Sequence, residues 1–170
     1  MRDPHLHPAL SARSALLLPV ALVPPVMASM LGSYLTAGAL ISWYPQLAKP
    51  FFTPPNIAFP IAWTFLFALM AMAFWRILRA RPEQGPKGKA IAAFLVQLVF
   101  NVGWSWAFFG QRSPVLGLVA VSLLFVSIAV TIRVFKPLDR AAAFALYPYL
   151  AWVAFAAALN TGIVLLNPGA

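Results

Sequence analysis

Acid–base, nucleophilic and metal chemistry need carboxylates, histidines or thiols held close together, and this chain has few of them. The carboxylates are Asp3, Glu83 and Asp139, the histidines are His5 and His7, and cysteine is absent. All of them fall in the N-terminal tail or in polar segments between long apolar runs. No carboxylate pair, Ser–His–Asp set or intramembrane proton relay can be assembled from them. His5 and His7 could ligate a metal or haem only if the tail folded back. The sequence therefore offers no conventional catalytic residue, metal site or bound cofactor, and without cysteine it leaves the redox compartment open.

The apolar runs do contain amides and indoles at helical spacing. Gln97, Asn101, Trp104 and Phe108 follow steps of four, three and four, which put them on one helix face. Tyr149, Trp152, Ala156 and Asn160 share a second face, where Ala156 leaves a gap. An unpaired amide in hydrocarbon is costly, so Gln97 and Asn101 should point inward. Two aromatic faces with a few polar tips suit a flat apolar molecule oriented by one or two hydrogen bonds. Plain interhelical hydrogen bonding and aromatic packing fit the same spacings. Gly103 and Ala107, one turn apart, form a small-residue pair that would permit a dimer through the third helix.

The elements that must carry these faces follow from composition: 62% of the 170 residues are apolar and 9% charged, too few charges for a water-exposed surface. Five runs are long enough to cross a membrane, at Leu16–Ile41, Ile57–Leu78, Ala90–Phe109, Val115–Phe135 and Ala141–Leu166. The expected fold is an all-α integral membrane bundle of five transmembrane helices over residues 16–166, after a disordered tail at 1–15. A secretory signal ending near Ala28 is the alternative for the first run, but apolar character continues to Ile41, as in a retained span. Pro19, Pro24 and Pro25 should bend or unwind that helix.

All twelve basic residues except Lys49 and Arg112 fall on one side of this topology. In an inner membrane, such as a bacterial cell membrane, that places the N-terminus in the cytoplasm and the C-terminus outside. Scattered over connectors, the basic residues form no stripe for nucleic acid. The longest connector, Ser42–Asn56, carries Pro45, Pro50, Pro54 and Pro55 around Phe51 and Phe52. It could be a stiff lid over a cavity or an interfacial aromatic belt. No inverted repeat of the transporter kind is present.

Three stretches closely resemble the TspO/MBR family of tryptophan-rich sensory and translocator proteins. They are Trp43–Pro50 with Thr53-Pro54-Pro55 and Ala62-Trp63-Thr64, then Gln97–Asn101 with Trp104 and Phe108-Phe109-Gly110, and Tyr147–Trp152 with Phe155-Ala156 and Leu159-Asn160. The resemblance extends from about Gly32 to Asn160. It implies a dimeric five-helix bundle that binds porphyrins and other tetrapyrroles, sterols or related lipids beneath the first loop. Ligand contacts carry over to Trp63, Asn101, Trp104, Trp152 and Ala156. Gln97, Tyr149, Phe51 and Phe52 complete the candidate binding set. Trp63 and Trp152 match tryptophans implicated in light-dependent porphyrin breakdown.

The chain departs from the family at several positions. Phe51, Phe52 and Ile57 stand where many relatives have tryptophan, and Phe67 replaces a frequent tyrosine. Thr161 and Leu165 replace the Tyr and Arg of the animal cholesterol motif, which argues against a cholesterol site of that type. Three readings follow: a membrane receptor or translocator for tetrapyrroles and similar hydrophobes in stress or pigment regulation, a porphyrin photo-oxidase, and a passive membrane component. Lys49 and Arg112 are candidates to meet porphyrin carboxylates at the cavity mouth.

Overall fold

The computed structural model describes residues 12–81 and 86–169, with side chains from Leu16 onward. His5, His7, Asp3 and Glu83 lie outside the described residues, as does most of the segment read as a tail. The described residues form α1 (Ala12–Ser42), α2 (Ala58–Arg79), α3 (Lys87–Ser105), α4 (Pro114–Phe135), α5 (Arg140–Ala145) and α6 (Tyr147–Leu166). Five segments have the length and apolarity to span a membrane: Leu16–Ser42, Ala58–Arg79, Lys87–Gly110, Pro114–Phe135 and Arg140–Leu166. Each coincides with a run read from the sequence to within about a turn.

Local chemistry sets where these helices start, stop and break. Ser113 caps α4 by accepting from the Leu116 N–H at 3.3 Å, and Pro114 follows at the first helical position, where a missing N–H costs nothing. The three prolines of α1 do not unwind it: the helix runs on through Pro19, Pro24 and Pro25. A membrane helix can do this where neighbouring groups satisfy the freed carbonyls. The fifth span, by contrast, is not one helix. Pro148 cannot donate to the Phe144 carbonyl, the helix breaks at Leu146, and the Leu146 N–H turns to Ala143 O at 3.2 Å. The third span ends in a wide π turn at Trp106–Gly110, closed by Gln111 N–H donating to Trp106 O at 2.8 Å. Through this turn Trp106 faces outward while Phe108 is buried.

The bundle has a solid half and a hollow half. In the solid half Met70, Phe74, Ile77, Phe94 and Phe135 are buried, and Phe74 stacks on Phe94 at 4.3 Å between ring centroids. Such a pair contributes about 0.5–1.5 kcal/mol beyond its area. At the end of this half Asp139 caps α5 through the Ala142 N–H at 2.8 Å, and the Arg76 Nε donates to both of its oxygens at 3.0 and 3.1 Å. Burial pushes the Asp139 carboxyl up, but the Ala142 N–H and Arg76 outweigh it and hold the group below its ordinary range.

A carboxyl lowered in the folded state stabilises it above the unfolded pKa and loses that contribution as pH falls through the folded value. Asp139→Ala removes cap and ion pair together and should cost about 1–2 kcal/mol at pH 7. Asp139→Asn keeps a capping side chain and should cost less than about 1 kcal/mol, since the pair is partly exposed. Unfolding in detergent at several pH values checks both, and the two deficits should shrink below about pH 4.

The small-residue pair of the third span does not form one outward strip. Gly103 has open space beyond its α-carbon, whereas Ala107 is buried within the chain. The reason is that Ala107 lies in the π turn, which packs against α1 and α4.

Candidate ligand-binding cavity

The hollow half contains a partly open cavity of about 470 Å³, within the roughly 300–1,000 Å³ usual for small-molecule sites. Its walls come from four spans. α2 contributes Phe59, Trp63 and Phe67; α3 and its π turn contribute Asn101, Trp104, Ser105, Phe108 and Phe109; α6 contributes Trp152, Phe155, Ala156, Leu159 and Asn160. The α1 wall is different, made mostly of Ala28, Ser29, Gly32, Ser33, Thr36 and Ala37, with Leu40 beyond them. These small and hydroxylated residues leave room that bulky apolar side chains would fill. Gly32 sets the spacing: a Cβ there would stand 3.3 Å from the Ser105 Oγ, so α1 and α3 approach closely.

Of the nine candidate residues, Trp63, Asn101, Trp104, Trp152 and Ala156 are brought together on the cavity wall. The indoles of Trp63 and Trp104 lie 6.3 Å apart, tilted by 30°, and Phe59 meets Trp152 edge-on at 6.1 Å. Tyr149 is not on the wall. It is fully buried one layer behind, where its hydroxyl accepts from the Asn101 Nδ2 at 2.8 Å and its ring meets Trp63 edge-on at 6.2 Å. It positions two wall residues. Gln97 lies one turn deeper on α3, in the solid half, with its Nε2 facing the Met70 Sδ at 3.9 Å and its Oε1 unpaired.

Phe51 and Phe52 also stand off the wall, because the loop that carries them is anchored elsewhere. Asn167 fastens the loop to the end of α6: its Oδ1 accepts from Ala48 N–H and its Nδ2 donates to Ala48 O, both at 2.9 Å. Pro50 is buried against Gly162, where even a Cβ would collide with the proline ring. With Ala48 and Pro50 pinned, Phe51 projects away fully exposed, and Phe52 meets Phe51 edge-on at 5.4 Å and Phe155 edge-on at 6.3 Å.

The loop closes over the cavity through a residue outside the candidate set. Tyr44 is buried and lines the cavity, packing 6.3 Å from Phe108 and 5.8 Å from Phe109. Burial pushes its hydroxyl above the ordinary tyrosine range. Lys49 does not line the cavity; its ammonium donates to Leu47 O at 3.0 Å and sits 4.8 Å over the Tyr44 ring. Arg112 is exposed on the neighbouring connector with φ at 50°. Removing the anchor should loosen this cover. Asn167→Ala is expected to cost about 1–2 kcal/mol for its hydrogen bonds and to speed amide exchange in residues 43–52, read by hydrogen–deuterium exchange.

The site also contains residues that the aromatic spacings did not flag. The α1 wall was legible in principle, as small residues recurring at 28, 29, 32, 33, 36 and 37, but the neighbouring helix that makes such a strip inward-facing is not in the sequence. Two polar atoms beside the cavity are unpaired, the Trp104 Nε1 and the Asn160 Oδ1. The latter faces Gly117 of α4, while the Asn160 Nδ2 donates to Pro114 O at 2.7 Å.

Comparison with known proteins agrees with this architecture. The TspO/MBR family model matches residues 20–166. The chain is 39% identical to the tryptophan-rich protein TspO of Chlorobaculum tepidum over 137 residues, covering 81% of this chain and 87% of that one. It is 36% identical to the tryptophan-rich sensory protein of Cereibacter sphaeroides, covering 80% and 85%. With the translocator protein of Bos taurus it shares 33% identity, covering 80% and 81%. Since the match takes in all five spans and the walls of the cavity between them, this chain is a member of the TspO/MBR family.

Proposed function

We propose that the protein is a membrane receptor or translocator that binds a flat apolar ligand, a tetrapyrrole such as protoporphyrin IX or a sterol-like lipid, in the cavity of the hollow half. The observation that carries this reading is the cavity itself: a space of about 470 Å³ in the middle of an apolar bundle, walled by Trp63, Trp104 and Trp152. Aromatic and aliphatic burial would supply most of the affinity, at roughly 25 cal/mol per Å² of apolar area. The names of the relatives, tryptophan-rich sensory protein and translocator protein, point in the same direction. In a homodimer mediated by α3, the close-approach position is Gly103, since Ala107 is buried. Titration of purified protein with protoporphyrin IX, read by tryptophan quenching, tests the reading; saturable quenching is expected, and its absence for both porphyrin and a sterol refutes it.

A second reading is favoured by one feature, the presence of both Trp63 and Trp152 on the cavity wall. A bound porphyrin excited by light, with dioxygen as oxidant, could be degraded in contact with these indoles. Illumination of the loaded protein separates the two readings. Loss of porphyrin absorbance that disappears in Trp63→Phe with Trp152→Phe supports photodegradation, and stable absorbance supports a receptor.

A further inference from the structure

Around the bundle, neighbouring long helices pack on one another with one exception among the described residues. α1 packs on α2 and α3, α3 on α4, and α4 on α6, whereas α2 meets the fifth span through the short helix α5. The break at Leu146 separates these two parts of the span, so α5 lies on α2 while α6 diverges from it. In the hollow half, the seam between α2 and α6 is consequently closed by side chains and not by packed backbones.

The outer side of this seam carries a groove of about 350 Å³, flanked by Ala62 and Leu66 of α2 and by Pro148 and Ala151 of the fifth span. Its floor includes Trp152 and Phe155, and both of these also line the internal cavity. Two rings, 5.6 Å apart, thus stand between the acyl-chain region and the interior. Close backbone packing of α2 on α6 does not lock the seam, and side chains change rotamer far faster than helices move. Toward the loop, cover comes instead from buried Tyr44, beside the Asn167 and Pro50 anchors.

We propose that this seam is a lateral doorway. A flat apolar ligand dissolved in the bilayer docks first in the outer groove and reaches the cavity when Trp152 and Phe155 swing aside. A ligand of that chemistry partitions into the acyl chains before it meets the protein, and this route spares it a passage through water. Phe52, edge-on to Phe155, ties the exposed part of the loop to the same gate. The proposal rests on the ligand-binding reading above and adds to it the route of entry.

Filling the groove without touching the cavity tests it. Ala62→Leu with Ala151→Leu should slow both association and dissociation of protoporphyrin IX about tenfold and leave Kd unchanged. The measurement is stopped-flow tryptophan quenching in phosphatidylcholine nanodiscs. Phe155→Ala, which thins the gate, should accelerate both rates, and it decides the matter if the filled variant does not fold. Saturable binding with rates unchanged in the folded variants overturns the doorway alone. Absence of saturable quenching in the unaltered protein overturns the ligand-binding reading and the doorway with it.

Discussion

Ala156→Trp should lower affinity for protoporphyrin IX by about 100-fold while leaving the fold intact. Ala156 faces the cavity, so an indole added there projects into empty space and displaces ligand instead of protein. A hundredfold loss corresponds to about 2.8 kcal/mol, a modest fraction of what a buried flat ligand gains from apolar contact. Unfolding midpoints should stay close to those of the unaltered protein, or rise slightly, because filling a void restores dispersion contacts. Quenching titrations with unfolding on the same samples check the pair of outcomes. Equal affinity in a folded Ala156→Trp protein would place porphyrin somewhere other than this cavity. The smaller change Ala156→Leu should give an intermediate loss, since the occupied volume scales with the side chain.

Gly117→Ala is expected to lower stability, and it acts through three contacts at once. A Cβ at this position of α4 would stand 2.6 Å from the Phe108 Cδ2, 2.9 Å from its Cβ and 2.8 Å from the Asn160 Oδ1. Phe108 is buried between Trp43, Tyr44 and Trp104, and Asn160 is held by its hydrogen bond to Pro114 O, so neither can yield freely. Overpacking of this kind costs about 1–3 kcal/mol, against which the better helix propensity of alanine returns up to about 1 kcal/mol. The net loss should show as a lower unfolding midpoint in detergent. Gly38→Ala supplies the control: nothing stands within 4 Å of its Cβ position, so the same exchange should be neutral or mildly stabilising.

The inward aim of Trp104, Asn101, Trp152 and Ala156 could be read from spacing, because the helical period fixes which residues share a face. The family resemblance added Trp63, which no second polar residue on α2 marks out. Where the period itself changes, sequence spacing misleads. The π turn at Trp106–Gly110 and the break at Leu146 each reset the angular register, and they decide that Ala107 is buried and that α6 leaves α2. Gln97 and Tyr149 show the same limit in depth: sharing a face with wall residues put them inside, yet one lies in the solid half and the other a layer behind Asn101.

By itself, the sequence determined five membrane-crossing helices, the sidedness of their charges, the absence of acid–base players among them and the aromatic faces of the third and fifth spans. These are properties of consecutive residues, set by hydrocarbon thickness and the helical repeat. Only the tertiary structure decided which half of the bundle is hollow, that the polar strip of α1 completes the cavity, and that Phe51 and Phe52 stand outside it. Those outcomes depend on pairs far apart in the chain, such as Ala48 with Asn167, Pro50 with Gly162 and Gly117 with Phe108 and Asn160. No local period encodes such a pair, because its contact exists only once the helices have packed.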